Sequence, residues 1–462
     1  MSIEPVLSRI DADLPAATER LLELLRIPSI STDPAFQGDC DRAADWLVDD
    51  LQSLGIDAQK RPTTGHPMVV GHIDGPGGDT APHVLFYGHY DVQPVDPLDL
   101  WDRDPFDPRI EDTAKGQVIR GRGASDDKGQ LMTFIEACRA WKAVHGKLPC
   151  EITFFFEGEE ESGSPSLVPF MRENADELTC DIALICDTGL FESAVPAITT
   201  QLRGLLGEDF TITGPSRDLH SGMYGGIAMN PIRVLTKILA GLQDDTGAVT
   251  LPGFYDGVPE LSDEIRSQWQ RLNFDHAKYL SDVGLKHPAG EQDRTPLEMI
   301  WSRPTCDING IWGGYTGDGF KTVLPSQASA KLSFRLVGTQ DPDAIRKAFR
   351  AYLESNLPDG FTVEYRTEKG AAAAQMSIAD PAFEKARQAL SDEWPRPAAY
   401  IGCGGSIPIA GYFKEILGMD AMLIGFGRDD DQIHSPNEKY DMESFHKGIR
   451  SWARILDALS RG

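Results

Sequence analysis

The chain reads as an α/β protein: a mostly parallel central sheet with helices on both faces, interrupted by an inserted α+β segment. Three observations carry that expectation. Apolar strand-like runs alternate with helical patterns in the first and last parts of the 462-residue chain, the order of a parallel sheet with helical crossovers. Several of those runs end abruptly in residues that bind cations. Val84–Gly88 leads into His89, Tyr90 and Asp91, Ile152–Phe156 into Glu157, Glu159, Glu160 and Glu161, Ile182–Cys186 into Asp187, and Ala421–Gly427 towards His434. After about Val195 the grain changes to half-exposed alternation with little apolar depth, and the first pattern resumes beyond Gly370-Ala-Ala-Ala-Ala.

Taken in order, Ile3, Val6, Leu7, Ile10, Leu14, Ala17, Leu21, Leu22 and Leu25 recur at helical spacing, with Pro15 expected at a break or a fresh first turn. A second helix, Asp41 to Leu54, closes at Gly55. Short strands follow near 56–60 and 68–73, then the strong strand at His83–Tyr87. Gly116 to Lys128 reads as a turn-rich passage that opens a helix running to about Val144. Residues 197–213 read as a strand pair, Asn230–Leu242 as a helix, and 245–300 as acidic and loop-rich. Ser329–Val337 and Phe361–Thr367 read as strands around a helix at Asp341–Glu354. Helices at Pro381–Asp392 and Glu443–Leu459 flank a glycine-rich run, 402–408, and a strand at Ala421–Gly425. The expected division is a discontinuous first domain, 1–195 and 374–462, and an inserted domain, 196–373.

Composition narrows the function. A formal charge of −27, from 71 acidic against 44 basic residues, argues against nucleic-acid and anionic-membrane partners. No apolar run approaches the ~20 residues that span a bilayer. Met-Ser-Ile-Glu-Pro-Val-Leu-Ser-Arg lacks the pattern of a secretory signal. Seven scattered cysteines form neither a disulfide framework nor a zinc ribbon. A cytoplasmic protein is the expectation.

In open α/β sheets, ligands bind at the carboxyl ends of the strands. Strand ends that deliver His, Asp and Glu together therefore read as one metal site. His89 and Asp91 are two apart on an extended strand end and face the same side. One can hold a metal while the other orients it. Adjacent Glu160 and Glu161 face different ways, so one can bind a metal while its neighbour reaches the attacking water. Each fragment alone is ordinary: a carboxylate run is usually a solvated loop, and Asp126-Asp127 before a helix is a normal cap.

In combination the motifs resemble those of the zinc-dependent M20 metallopeptidases, and within them the cytosolic dipeptidase and carnosine-dipeptidase branch. The resemblance spans essentially the whole chain. It rests on Tyr87-Gly-His-Tyr-Asp-Val-Gln-Pro, Arg120-Gly-Arg-Gly-Ala-Ser-Asp-Asp-Lys-Gly, Glu157-Gly-Glu-Glu-Glu-Ser-Gly-Ser, the Asp187 strand end, Asp218-Leu-His-Ser-Gly-Met-Tyr-Gly-Gly and His434-Ser-Pro-Asn-Glu-Lys.

The resemblance implies two divalent ions per subunit, zinc first and manganese or cobalt as alternatives. Asp126 would bridge them; His89 and Asp187 would complete one ion's ligands, Glu161 and His434 the other's. It also implies Glu160 as general base, Asp91 as the group that holds the His89 ring, and a cis peptide between Asp126 and Asp127. In the inserted domain it implies a lid that dimerises the protein. His220 would stabilise the oxyanion in the partner subunit's site, with Thr322 assisting. Arg335 would read the substrate's free carboxylate, and Gly404, Gly405 and Ser406 would close around it. The implied reaction is hydrolysis of dipeptides or short peptides next to a free C-terminal carboxylate. Asp187, where acylase branches usually carry Glu, favours this over an N-acyl-amino-acid amidohydrolase with the same machinery. The intact ligand set speaks against a binding protein that has lost turnover.

Overall fold

The structure, a computed structural model, describes residues 1–75, 81–193, 195–367, 370–405 and 407–461. The chain separates into two compact units. The first comprises Met1–Thr200, Met376–Ile401 and Tyr412–Gly462, the second Gln201–Gln375 and Gly402–Gly411.

The first unit is built on a sheet whose strands run in the order Asp57–Arg61, Met68–Ile73, Glu151–Glu157, His83–His89, Ile182–Ile185, Ala421–Leu423, Ala197–Leu202. The centre is parallel: His83–His89 pairs in parallel with Glu151–Glu157 and Ile182–Ile185, and the latter with Ala421–Leu423. The flanks are antiparallel, so the sheet is mixed rather than mostly parallel throughout. The central strands are apolar at successive positions because both faces are covered. Phe86 stacks on Phe134 at 3.7 Å and meets Trp452 edge-on at 5.8 Å, which brings helices Lys128–His145 and Met442–Leu459 to one face. Tyr87 points the other way, to Phe413 at 5.9 Å, and Phe155 stacks on Phe170 of helix Leu167–Glu173. No helix among the described residues is long and apolar enough to cross a membrane.

Local expectations fail where tertiary contacts outweigh them. Glu4–Leu25 is one helix with Pro15 inside it, not two. Pro15 is exposed, while Val6, Leu7, Ile10, Ala17, Leu21 and Leu25 are buried on a continuous stripe, and burial of both halves holds the helix together. The passage after Gly116 begins with a strand, Gly116–Arg120, paired with Arg109–Thr113 and Lys439–Asp441.

The second unit is an antiparallel sheet in the order Thr305–Gly313, Gln327–Leu336, Gly204–Thr213, Thr362–Thr367. Leu206, Phe210, Ile212 and Phe334 share one core with Leu235 and Ile238 of helix Pro231–Ala240 and Phe349 and Leu353 of helix Pro342–Ser355. Residues 197–213 are thus not a strand pair, because Gly204–Thr213 takes its partners from Gln327–Leu336 and Thr362–Thr367. The segment read as loop holds short helices at Asp263–Arg271, His276–Ser281 and Pro296–Trp301, each started by a side-chain cap from Ser262, Asp275 or Thr295. Residues 402–411, read with the first domain, cluster with the second unit. Arg203 accounts for that, since its Nε and backbone N–H donate to the carbonyls of Gly404 and Gly405, both at 3.1 Å.

Candidate metal centre

Parallel strands that start in register also end together, and here their carboxyl ends converge. His89 is the last residue of its strand, Asp126 lies in the turn before helix Lys128–His145, and Glu160 and Glu161 open a short turn after Glu151–Glu157. Asp187 follows Ile182–Ile185, and His434 lies in the loop between Ala421–Leu423 and Lys439–Asp441. Two groups of potential ligands result, His89 with Asp126 and Asp187, and Asp126 with Glu161 and His434, each with its donor atoms within 4.8 Å of one another. Asp126 belongs to both. Its Oδ1 lies 3.2 Å from His89 Nε2, and its Oδ2 lies 2.9 Å from His434 Nε2. His434 Nε2 is also 3.3 Å from Glu161 Oε2, which accepts from Gln93 Nε2 at 2.7 Å. The peptide between Asp126 and Asp127 is cis.

Asp91 is fully buried. His89 Nδ1 lies 3.3 Å from its Oδ1 and 3.1 Å from its carbonyl, both acceptors, which leaves Nε2 of the neutral ring to coordinate. The same carboxylate accepts the backbone N–H groups of Glu160 and Glu161, at 3.3 and 3.0 Å. One group therefore sets both the imidazole and the carboxylate turn. The loop bearing His434 has left-handed backbone at Gln432 (φ 56°), His434 (φ 60°) and Asn437 (φ 65°). Such strain in side-chain-bearing residues persists where surrounding contacts over-determine it. Asn437 supplies some of those contacts, accepting from Asp102 N at 2.9 Å and donating to Leu100 O at 3.1 Å.

The electrostatics test whether these residues fit metal ions. Burial, then Asp126 and Asp127, pushes Asp187 well above the ordinary carboxylate range. Burial, and then Glu161, Asp91 and Asp126, pushes Glu160 up to about 7, with His89 opposing. Hydrogen bonds with Asp126 and Glu161 raise His434 to about 10. Burial opposes charge on Asp126 too, yet hydrogen bonds from His434 and His89 hold its carboxyl below its ordinary value. Buried carboxylates that repel one another and imidazoles drawn into compensating charge are what a site made for cations requires. The donor set of imidazole nitrogen and carboxylate oxygen suits zinc, manganese or cobalt. A third acidic group, Asp430, Asp431 and Asp441, is different. Lys439 Nζ lies 2.6–2.7 Å from a carboxylate oxygen of each and already supplies the positive charge.

The remaining expected residues lie in the second unit. Leu219–His220 pairs with Val323–Leu324, and Ser221 N donates to Thr322 O at 3.1 Å, so His220 and Thr322 are neighbours. Gly222 N donates to His220 Nδ1 at 3.0 Å, which fixes the neutral ring as the tautomer with its proton on Nε2, a donor on an exposed residue. Arg335 stands opposite Leu205 and Thr305 in the sheet. Arg203, which the sequence reading did not select, is close enough that burial and then the Arg335 charge push its guanidinium down to about 10. Its position between two strand runs, just before Gly204, was the available signal. Gly404 and Gly405 are tied to Arg203 as described; Ser406 lies outside the described residues.

A sequence profile of peptidase family M20/M25/M40 matches residues 85–458. The Cys-Gly metallodipeptidase of Candida albicans is 30% identical over 480 residues, covering 99% of this chain and 97% of that protein. The Beta-Ala-His dipeptidase of Homo sapiens is 30% identical over 479 residues, covering 98% of this chain and 92% of that protein. The crystal structure of an M20 family metallo-carboxypeptidase from Sulfolobus solfataricus superposes with a TM-score of 0.81 at 30% identity, covering 96% of this chain and 99% of that one.

Proposed function

This chain belongs to peptidase family M20/M25/M40 and is a metallopeptidase, and we propose that it cleaves dipeptides or short peptides next to a free C-terminal carboxylate. The observation that carries the reading is the pair of ligand groups sharing Asp126, with Glu160 beside them on the turn that Asp91 anchors. The names of its relatives support the substrate class: dipeptidases and a carboxypeptidase both act beside a free carboxyl end.

In this reading His89, Asp126 and Asp187 hold one divalent ion and Asp126, Glu161 and His434 the other, with zinc the preferred metal. Bound there, the ions would polarise the scissile carbonyl and acidify water. Glu160 accepts the proton of the attacking water and returns it to the leaving amine, a contribution of ~10²–10⁴ in rate. Asp91 keeps the His89 ring and the Glu160 turn in place throughout. His220 presents its Nε2–H to the developing oxyanion with Thr322 beside it, and Arg335, with Gly405 and Ser406, receives the substrate carboxylate.

A homodimer in which His220 serves the other subunit's site is part of this proposal. Its support is the edge strand Thr305–Gly313, which exposes Ile308, Ile311 and Trp312 at 51, 49 and 45%. Apolar side chains on an open sheet edge invite pairing with another chain. We assign the protein to the cytoplasm on its seven free thiols, five of them buried.

The reading is tested on a panel of dipeptides, including β-alanyl and cysteinyl ones, beside matched N-acyl amino acids. A dipeptidase turns over the former with the higher kcat/KM. Preference for the N-acyl compounds would replace the proposal with an amidohydrolase.

A further inference from the structure

The turn that carries Asp126 has no regular secondary structure from Gly121 to Asp127, yet its backbone is held. Its N–H groups converge on one carboxylate, Glu438, which is fully buried. Glu438 Oε1 accepts from Ser125 N at 2.9 Å and Asp126 N at 3.0 Å. Its Oε2 accepts from Gly123 N at 3.0 Å and from Arg122 Nη1 at 2.8 Å. Arg122, itself 1% exposed, donates to Pro94 O at 3.1 Å and lies 5.3 Å over the ring of Trp101. Four donors thus saturate both oxygens of one carboxylate, and three of them belong to the backbone that aims Asp126.

Glu438 also lies in the loop that carries His434. In that loop Asp431 makes a second clasp, accepting from Ser125 Oγ at 2.8 Å. The turn that carries Asp126 and the loop that carries His434 are therefore joined through two buried carboxylates, Glu438 and Asp431.

We infer that Glu438 is a positioning residue for the metal centre, which sets the aim of Asp126 and its spacing from His434 through the Ser125 and Asp126 N–H groups before any ion binds. The inference rests on the reading that Asp126 ligates both ions. The bland alternative is a buried ion pair that serves folding alone. Breaking such a pair destabilises a protein but leaves the affinity of the still-folded site unchanged. Removing a group that orients a ligand typically costs 10–100-fold in metal affinity.

The test uses full-length protein stripped of metal. Zn²⁺ affinity is measured by competition with a chromophoric chelator, well below the unfolding midpoint, for the wild type, Glu438→Gln and Arg122→Met. The expected result is two ions in the wild type and affinity about 10–100-fold weaker in Glu438→Gln at unchanged circular dichroism. Arg122→Met, which keeps the carboxylate on the N–H groups, falls by less. Equal affinity in folded Glu438→Gln overturns the inference. Should that variant not fold, hydrogen exchange of residues 123–127 in the metal-free wild type decides. Slow exchange at Ser125 and Asp126 supports a turn already held, and fast exchange overturns it. A wild type that binds fewer than two ions refutes the ligand reading and this inference with it, and is seen before any substitution is made.

Discussion

At Asp91 three donors meet: His89 Nδ1 at 3.3 Å, Glu160 N at 3.3 Å and Glu161 N at 3.0 Å. This carboxylate fixes the backbone from which both glutamate side chains depart, and the proposed reading gives the two different tasks. The roles are separable by experiment. Glu160→Gln is expected to lower kcat by about 10²–10⁴ while both ions stay bound. Glu161→Gln is expected to lose one ion, because Glu161 faces His434 and Asp126. Elemental analysis beside kcat measures both, and the reverse pattern would exchange the two assignments.

Among the elements, the edge strand Thr305–Gly313 makes the most exposed claim. If it is the dimer seam, Ile311→Lys should shift the protein from dimer to monomer in sedimentation analysis without changing its circular dichroism. A charge at the centre of an apolar edge is a known block to edge pairing. This strand was not legible in the sequence: Asp307, Asn309 and Gly310 interrupt its alternation, and a register shift between Ile308 and Gly310 breaks the period. Helices Asp263–Arg271 and Pro296–Trp301 were missed for a related reason. Each is too short to show a helical period, and what unites them is an edge contact of Trp269 with Trp301 at 4.9 Å. The central strands were legible because burial on both faces leaves an unbroken apolar run, and their charged ends stood out against it. Residues whose importance comes from distant partners were not: Arg203 is defined by Arg335 and Gly404, and Glu438 by the Arg122–Asp126 turn over 300 residues away.

For the whole molecule, the proposal of a shared site predicts complementation. His220→Ala should cost about 10²–10³ in rate, by analogy with other oxyanion donors, and Glu160→Ala should be inactive for want of its base. Dissociated, mixed in equal amounts and reassociated, half the dimers are hybrids. Each hybrid holds one site with both defects and one with neither. About a quarter of wild-type activity should return, by the pairing arithmetic of an isologous dimer. Proven subunit exchange with no recovery would confine His220 to its own chain.

The central claim is that hydrolysis depends on two ions held around Asp126, and a metal titration tests it most directly. Protein stripped by a strong chelator and shown metal-free by elemental analysis should not cleave a dipeptide. As Zn²⁺, Mn²⁺ or Co²⁺ is added back, activity should rise and level at about two equivalents per chain. Full activity in the metal-free protein, or saturation without uptake of metal, would contradict the account.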